Sequence, residues 1–181
     1  MRNCRLCHPA ISACALFMKE IDHILNVLQS IPDPEVPVLT ITDLGIIRDI
    51  NIISPGKSVE IMITPTYSGC PAMDVISMNI RMTLLKNGYK DVIITKVLSP
   101  AWTTDWMSES GKQKLKAYGI APPGKASWKD PSVLFAEPVK VQCPQCNSYN
   151  TTMISEFGST ACKALYQCNE CREPFDHFKC H

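Results

Sequence analysis

The chain has 181 residues, of which 45% are hydrophobic and 19% charged. That is enough apolar material for a real core in one ordinary domain plus a small appendage, and unlike a disordered composition. The formal net charge of +1 and the lack of a long basic run give no electrostatic footprint for nucleic acid. No apolar stretch approaches the roughly 20 residues that span a bilayer.

The first 17 residues, MRNCRLCHPAISACALF, carry Cys4, Cys7 and His8 at the spacing of a c-type haem attachment site, and ISAC before residue 15 resembles the end of a lipoprotein signal. The residues ahead of Cys14 are too polar for a signal core of about 7 to 15 apolar positions. Residues 1–17 are therefore set apart as an upstream extension or a misassigned start.

From Met18 the pattern becomes regular. Met18, Ile21, Leu25 and Leu28, with Ile24 beside them, form one stripe of an amphipathic helix. IPDPEVPVL, with three prolines in six residues, reads as a stiff extended loop. LGIIRDINII and SVEIMITPT are strand-like runs joined through Ser54-Pro55-Gly56-Lys57, which predicts a hairpin. Pro71 suits a first helical turn; Ala72, Ile76, Ile80 and Leu84 then recur at intervals of four, and Gly88 supplies a stop. DVIITKVLS is a third strand, expected to be buried on both faces because it is nearly all apolar. Thr103 and Thr104 are candidate N-caps for a third helix closing at Gly119. The order α-β-β-α-β-α predicts a small two-layer α+β domain over residues 18–120. Residues 121–139 read as a proline-rich linker, and 140–181 as a cysteine-rich second domain.

Six of the ten cysteines lie between 143 and 180. Cys143-Pro144-Gln145-Cys146 and Cys168-Asn169-Glu170-Cys171 are two C-x-x-C turns separated by 21 residues, the spacing of a four-cysteine zinc ribbon. A segment of about 40 residues with few large apolar side chains needs such a staple. Zinc is expected, iron satisfies the same ligands, and a closed four-thiolate site is structural. The clustering points to a reducing compartment, the cytoplasm. Cys162, Cys180 and His181 either form a second, weaker metal site or simply pack and lie exposed.

In the body, Cys70 follows Gly69 at a predicted helix N-terminus. There the macrodipole and free N–H groups favour a thiolate, although an inert buried cysteine is the commoner outcome at such a position. Asp33 and Glu35, on either side of Pro34, read as turn and cap residues. No Ser-His-Asp set, phosphate loop or dinucleotide fingerprint accompanies them, so intrinsic catalysis is not expected.

IPDPEVP, DLGII, TPTYSGCPAMD and PAWTTDWMSESGKQKL together resemble the iron–sulfur assembly domain of SufT-like cluster-maturation factors. With the tail FGSTACKALYQCNECREPFDHFKCH, the combination resembles the PaaD (PaaJ) family, small components encoded with the bacterial phenylacetyl-CoA epoxidase system. The resemblance covers residues from about 18 to 181. It implies an accessory role in phenylacetate degradation, assisting iron or iron–sulfur cluster assembly in the oxygenase or its reductase. Cys70 becomes the implied ligand of iron or a transient cluster, shared across a homodimer, and Asp33-Pro34-Glu35 the implied functional motif. Two alternatives stand beside it: a non-chemical adaptor subunit of the epoxidase and a general cluster-assembly factor. A thiol-dependent enzyme built on Cys70 lacks a nearby general base, since His23 belongs to the first helix.

Overall fold

A computed structural model describes residues 11–124 and 140–179, with the side chains of 11–15 excepted. Cys4, Cys7, His8, Cys180 and His181 lie outside the described residues, as does most of the expected linker. The elements follow the expected order. Helix α1 spans Ile11–Leu28, strand β1 Ile47–Ser54, β2 Ser58–Ile63, helix α2 Ala72–Lys86, β3 Asp91–Lys96 and α3 Glu109–Tyr118. Three further strands follow, β4 Thr151–Ser155, β5 Lys163–Cys168 and β6 Pro174–Phe178.

The first sheet has the order β1-β2-β3, with β1 antiparallel and β3 parallel to the central β2. The hairpin forms where proline and glycine predicted it: Gly56 takes φ +65°, and Lys57 N–H donates to Ser54 C=O at 2.9 Å. Strand alternation decides which face is covered. Val59, Ile61 and Ile63 are fully buried, together with Ile24 and Leu28 of α1 and Ile80 and Leu84 of α2. The opposite face carries a polar row in which Asn51 and Thr95 both donate to the Glu60 carboxylate.

Three local expectations change. α1 begins at Ile11, seven residues before Met18, and Met18 is largely exposed. β3 is not buried on both faces, because it is an edge strand with Val92 inward and Ile93 42% exposed. Its apolar content alone did not fix its place in the sheet. Thr103 and Thr104 do not cap α3; a short 3-10 turn, Thr104–Trp106, intervenes, and Ser108 accepts the Gly111 N–H as the true N-cap.

Asp43 ties α3 to the loop before β1. Its carboxylate accepts from Lys114 at 2.6 Å, Ser108 Oγ at 2.8 Å and Thr40 Oγ1 at 2.9 Å. Trp102 donates its indole N–H to Leu44 C=O at 2.8 Å. Gly45, at φ +67°, has no room for a side chain, since a Cβ would lie 2.2 Å from the Trp106 carbonyl oxygen.

The second sheet, β4-β5-β6, is antiparallel throughout. It surrounds a small core of Val141, Cys143, Cys168 and Phe175, with Tyr166 stacked on Phe175. It is also joined to the body. Ala121 bridges to β6, donating its N–H to Asp176 C=O and accepting from Phe178 N–H. Phe178 and Cys162 pack into the core of the first domain, where the Phe178 ring meets Trp102 edge-on at 6.3 Å.

Candidate metal and thiol sites

The two C-x-x-C turns fold as matched knuckles. In the first, Asn147 takes φ +61° and donates its N–H to Cys143 C=O; in the second, Arg172 takes φ +64° and donates to Cys168 C=O. Each knuckle presents one buried and one exposed cysteine. The four sulfurs lie within 4.8 Å of one another, with Cys143–Cys171 at 3.8 Å and Cys146–Cys168 at 3.5 Å. A tetrahedral ion with Zn–S bonds of about 2.3 Å separates its sulfurs by about 3.8 Å, so the donor set fits a metal ion. Backbone N–H groups of Cys171 and Glu170 point at the Cys168 sulfur and draw its pKa down to about 7. All four positions around such an ion are protein thiolates, which suits a structural site.

The second site lies where the ribbon meets the body. Ser68 and Gly69 form a tight turn in which Gly69 takes φ +85° and Cys70 N–H donates to Tyr67 C=O. This turn delivers Cys70 to the start of α2, where its carbonyl accepts the Met73 N–H and its sulfur the Ala72 N–H. The Tyr67 hydroxyl donates to the same sulfur. The helix-start effect does not win here. Burial, with Glu35 and Asp33 close by, outweighs those donors and holds the half-buried Cys70 thiol above its ordinary pKa.

The acidic turn serves the same place. The Asp33 carboxylate, 7% exposed, accepts the N–H groups of Val36 at 2.7 Å and Glu35 at 2.9 Å. Asp33 is therefore the turn cap that its composition predicted. Its burial raises its pKa in spite of those two bonds. Glu35 is freed to point across the boundary, and its Oε2 accepts from the Cys162 thiol at 3.5 Å. Thr160 Oγ1 lies 3.1 Å from the same sulfur, and burial first, with Glu35, pushes the Cys162 thiol up to about 11.

Comparison with known proteins decides the family. The PaaD zinc beta ribbon domain model matches residues 129–179, and the iron–sulfur cluster assembly protein model matches residues 21–92. A protein of Escherichia coli (strain K12), described as a putative component of the 1,2-phenylacetyl-CoA epoxidase, is 50% identical over 161 residues, which is 89% of this chain and 93% of that protein. The chain belongs to the PaaD family. The "Fe-S protein maturation auxiliary factor" of Porphyromonas gingivalis (strain ATCC BAA-308 / W83) is 34% identical over 100 residues, covering 55% of this chain and 93% of its own length. The crystal structure of a domain of unknown function, DUF59, from Bacillus anthracis matches with a TM-score of 0.51 and 25% identity, covering 57% of this chain and 96% of that one.

Both family modules of this PaaD chain contribute to the second site. Asp33, Glu35, Tyr67 and Cys70 fall in the assembly match, while Thr160, Cys162 and Lys163 fall in the ribbon match. Tyr67 and Lys163 carry no sequence signal strong enough to single them out. Tyr67 stands three residues before Cys70, where the turn closes, and Lys163 follows Cys162. The Lys163 ammonium is buried, 3.6 Å from Asp176, and its charge reaches Asp33 and Cys162. No helix among the described residues is long and apolar enough to cross a membrane.

Proposed function

We propose that this protein is an accessory maturation component of the bacterial phenylacetyl-CoA epoxidase system, assisting iron or iron–sulfur cluster assembly in the oxygenase or its reductase. Cys70 is the ligand that receives the iron cargo, and the D-P-E turn is its acidic partner. A zinc ion in the ribbon keeps residues 140–181 folded, and the protein works in the cytoplasm. The observation that carries the reading is a half-buried thiol on the Gly69 turn, near enough to Asp33 and Glu35 to feel both their charges. One thiol is too few ligands for a stable cluster, which suits transfer rather than storage.

Anaerobic reconstitution of wild type and Cys70→Ala, read by ultraviolet-visible absorption, tests this function. Iron–thiolate absorption in wild type and its loss in the variant are expected, together with reduced epoxidase activity in cells. Equal iron loading in both proteins sinks the ligand role.

One observation favours a second reading, that of an adaptor without chemistry. Val75, Met78, Met82 and Leu85 form an exposed stripe along α2, spaced like one seam of a helix pair, with the partly buried Ile94 of the edge strand beside Met78. A component of the epoxidase is the partner this reading places there. Met78→Glu with Met82→Glu then abolishes co-purification with the oxygenase, while Cys70→Ala keeps full activity.

A further inference from the structure

We propose that Cys162 of the ribbon and Glu35 of the acidic turn join Cys70 as ligands for the iron cargo, so that the loading site is complete only when the ribbon is docked on the body. The inference rests on the proposed role of Cys70 and adds to it two ligands and a reason for the second domain.

The ribbon's metal site needs four cysteines, and Cys162 is not among them. It sits instead in the body's core, 4% exposed. A core thiol with a purely packing role meets apolar atoms alone, and here two polar side chains reach the sulfur as well. The Glu35 carboxylate is at 3.5 Å and the Thr160 hydroxyl at 3.1 Å. The Tyr67 hydroxyl links the group to Cys70 through its bond to that sulfur, and it feels the charges of Glu35 and Cys162. Placing a carboxylate and an ammonium beside a buried thiol costs desolvation that an aliphatic residue at position 162 would avoid. Stability alone does not account for the arrangement.

The geometry is held from several sides. Asp33 fixes the backbone at Glu35 and Val36. The Lys163 N–H donates to Thr160 C=O, and the Lys179 N–H donates to Cys162 C=O, which locks the turn carrying the thiol to the end of β6. The Lys163 ammonium offsets part of the negative charge that two thiolates and a carboxylate bring together. Two sulfurs and one carboxylate oxygen form a donor set that suits iron and other thiophilic ions. Among the described residues only the ribbon quartet converges within 4.8 Å. The second set is looser and is open at Cys70, which leaves room for a ligand from the receiving protein. Loading releases one proton from each thiol to solvent and leaves the Glu35 carboxylate unchanged.

The test uses the full chain with zinc in the ribbon, titrated anaerobically with Co²⁺ alone and read by sulfur-to-cobalt charge transfer. Wild type is expected to bind one equivalent beyond the zinc. Cys70→Ser and Cys162→Val are each expected to lose about half of the charge-transfer intensity, because intensity follows the number of thiolates on the ion. Glu35→Gln is expected to keep the band and bind about tenfold more weakly or worse. A Cys162→Val spectrum equal to wild type overturns the inference; if Cys70→Ser still loses intensity, the reading of Cys70 stands. Absence of any cobalt bound beyond the zinc in wild type also overturns the inference, and epoxidase activity of Cys70→Ala in cells then judges the reading by itself. Zinc content of each variant reports whether the ribbon is folded. Should Cys162→Val lose its zinc, Glu35→Gln decides: unchanged affinity overturns the proposal and weakened affinity supports it.

Discussion

The Cys162 thiol donates to the Glu35 carboxylate across 3.5 Å, joining residues 127 positions apart, one on the body and one on the ribbon. Beside this contact the Phe178 ring packs on Trp102 in the body's core. The ribbon is thus part of what covers the body.

Zinc removal should therefore reach beyond residues 140–181. With its ion chelated the ribbon loses its staple, since its own core holds little more than Val141, Phe175 and two of the ligands. Phe178 and Cys162 then leave the body, and Trp102, now 3% exposed, meets water. The expected outcome is a red shift of tryptophan emission and a lower melting temperature for the body as well as the ribbon. Body amides whose hydrogen exchange is unchanged after chelation contradict this coupling.

Phe178→Ala separates docking from zinc binding. The ring is 2% exposed, and truncating a buried phenylalanine costs about 3–5 kcal/mol. The four ligands are untouched, so the variant is expected to keep one zinc while the body unfolds at lower urea. A urea midpoint equal to wild type would show that the ring does not support the body.

Much of this architecture is legible in the sequence, for local reasons. The interval of four from Ala72 to Leu84 gives the buried face of α2, and the two C-x-x-C turns give the knuckles. The position of β3 is not legible, because apolar content does not say which strand forms the edge. The Ser108 cap is hidden by the 3-10 turn that Thr104–Trp106 inserts ahead of it. The meeting of Glu35 with Cys162 is a long-range contact with no local pattern. Its one trace is arithmetical: once the four metal ligands are counted, two ribbon cysteines are left over, and Cys162 is one of them.

Cys70 should react slowly in the protein that carries zinc in the ribbon and no iron cargo. Its pKa is raised, mainly by burial and then by Glu35, so less thiolate is present at pH 7 than in a free thiol. Iodoacetamide alkylation followed by mass spectrometry should give a rate below that of a cysteine peptide, with a pH midpoint displaced upward. Glu35→Gln should move the midpoint back down. A midpoint below that of the peptide would revive the nucleophile reading.

Asp43 should be a stability residue without a part in metal handling. Its carboxyl is held below the usual range because donation from Lys114, Ser108 and Thr40 outweighs the burial that would raise it. A lowered carboxylate pKa stabilises the fold above its unfolded value, near pH 4, and the benefit is lost as pH falls through the folded value. Asp43→Ala is expected to cost about 2–3 kcal/mol at pH 7, leaving four donors without their acceptor, the Thr40 N–H among them. Urea unfolding checks the magnitude, and cobalt binding equal to wild type checks that the effect is confined to the fold.

His177 gives the ribbon–body junction a pH dependence of its own. It lies on β6 opposite Ala121, edge-on to Tyr166, and burial, then the Lys179 charge, pushes its pKa down to about 4. Between pH 6.5 and about 4 the unfolded chain binds a proton that the folded chain refuses, so stability falls as pH falls through that window. Above it the histidine is neutral in both states and contributes no slope. The loss is at most about 3 kcal/mol, and less in so far as the partly exposed ring is solvated. Thiol protonation weakens zinc binding over the same range, but His177→Gln carries the same four ligands and the same slope from them. The difference between the two proteins in urea unfolding at pH 7, 5.5 and 4.5 therefore isolates the imidazole. The two proteins should be parallel above pH 6.5 and diverge below it, with His177→Gln losing less; curves that stay parallel to pH 4.5 would mean that the imidazole titrates normally while docked.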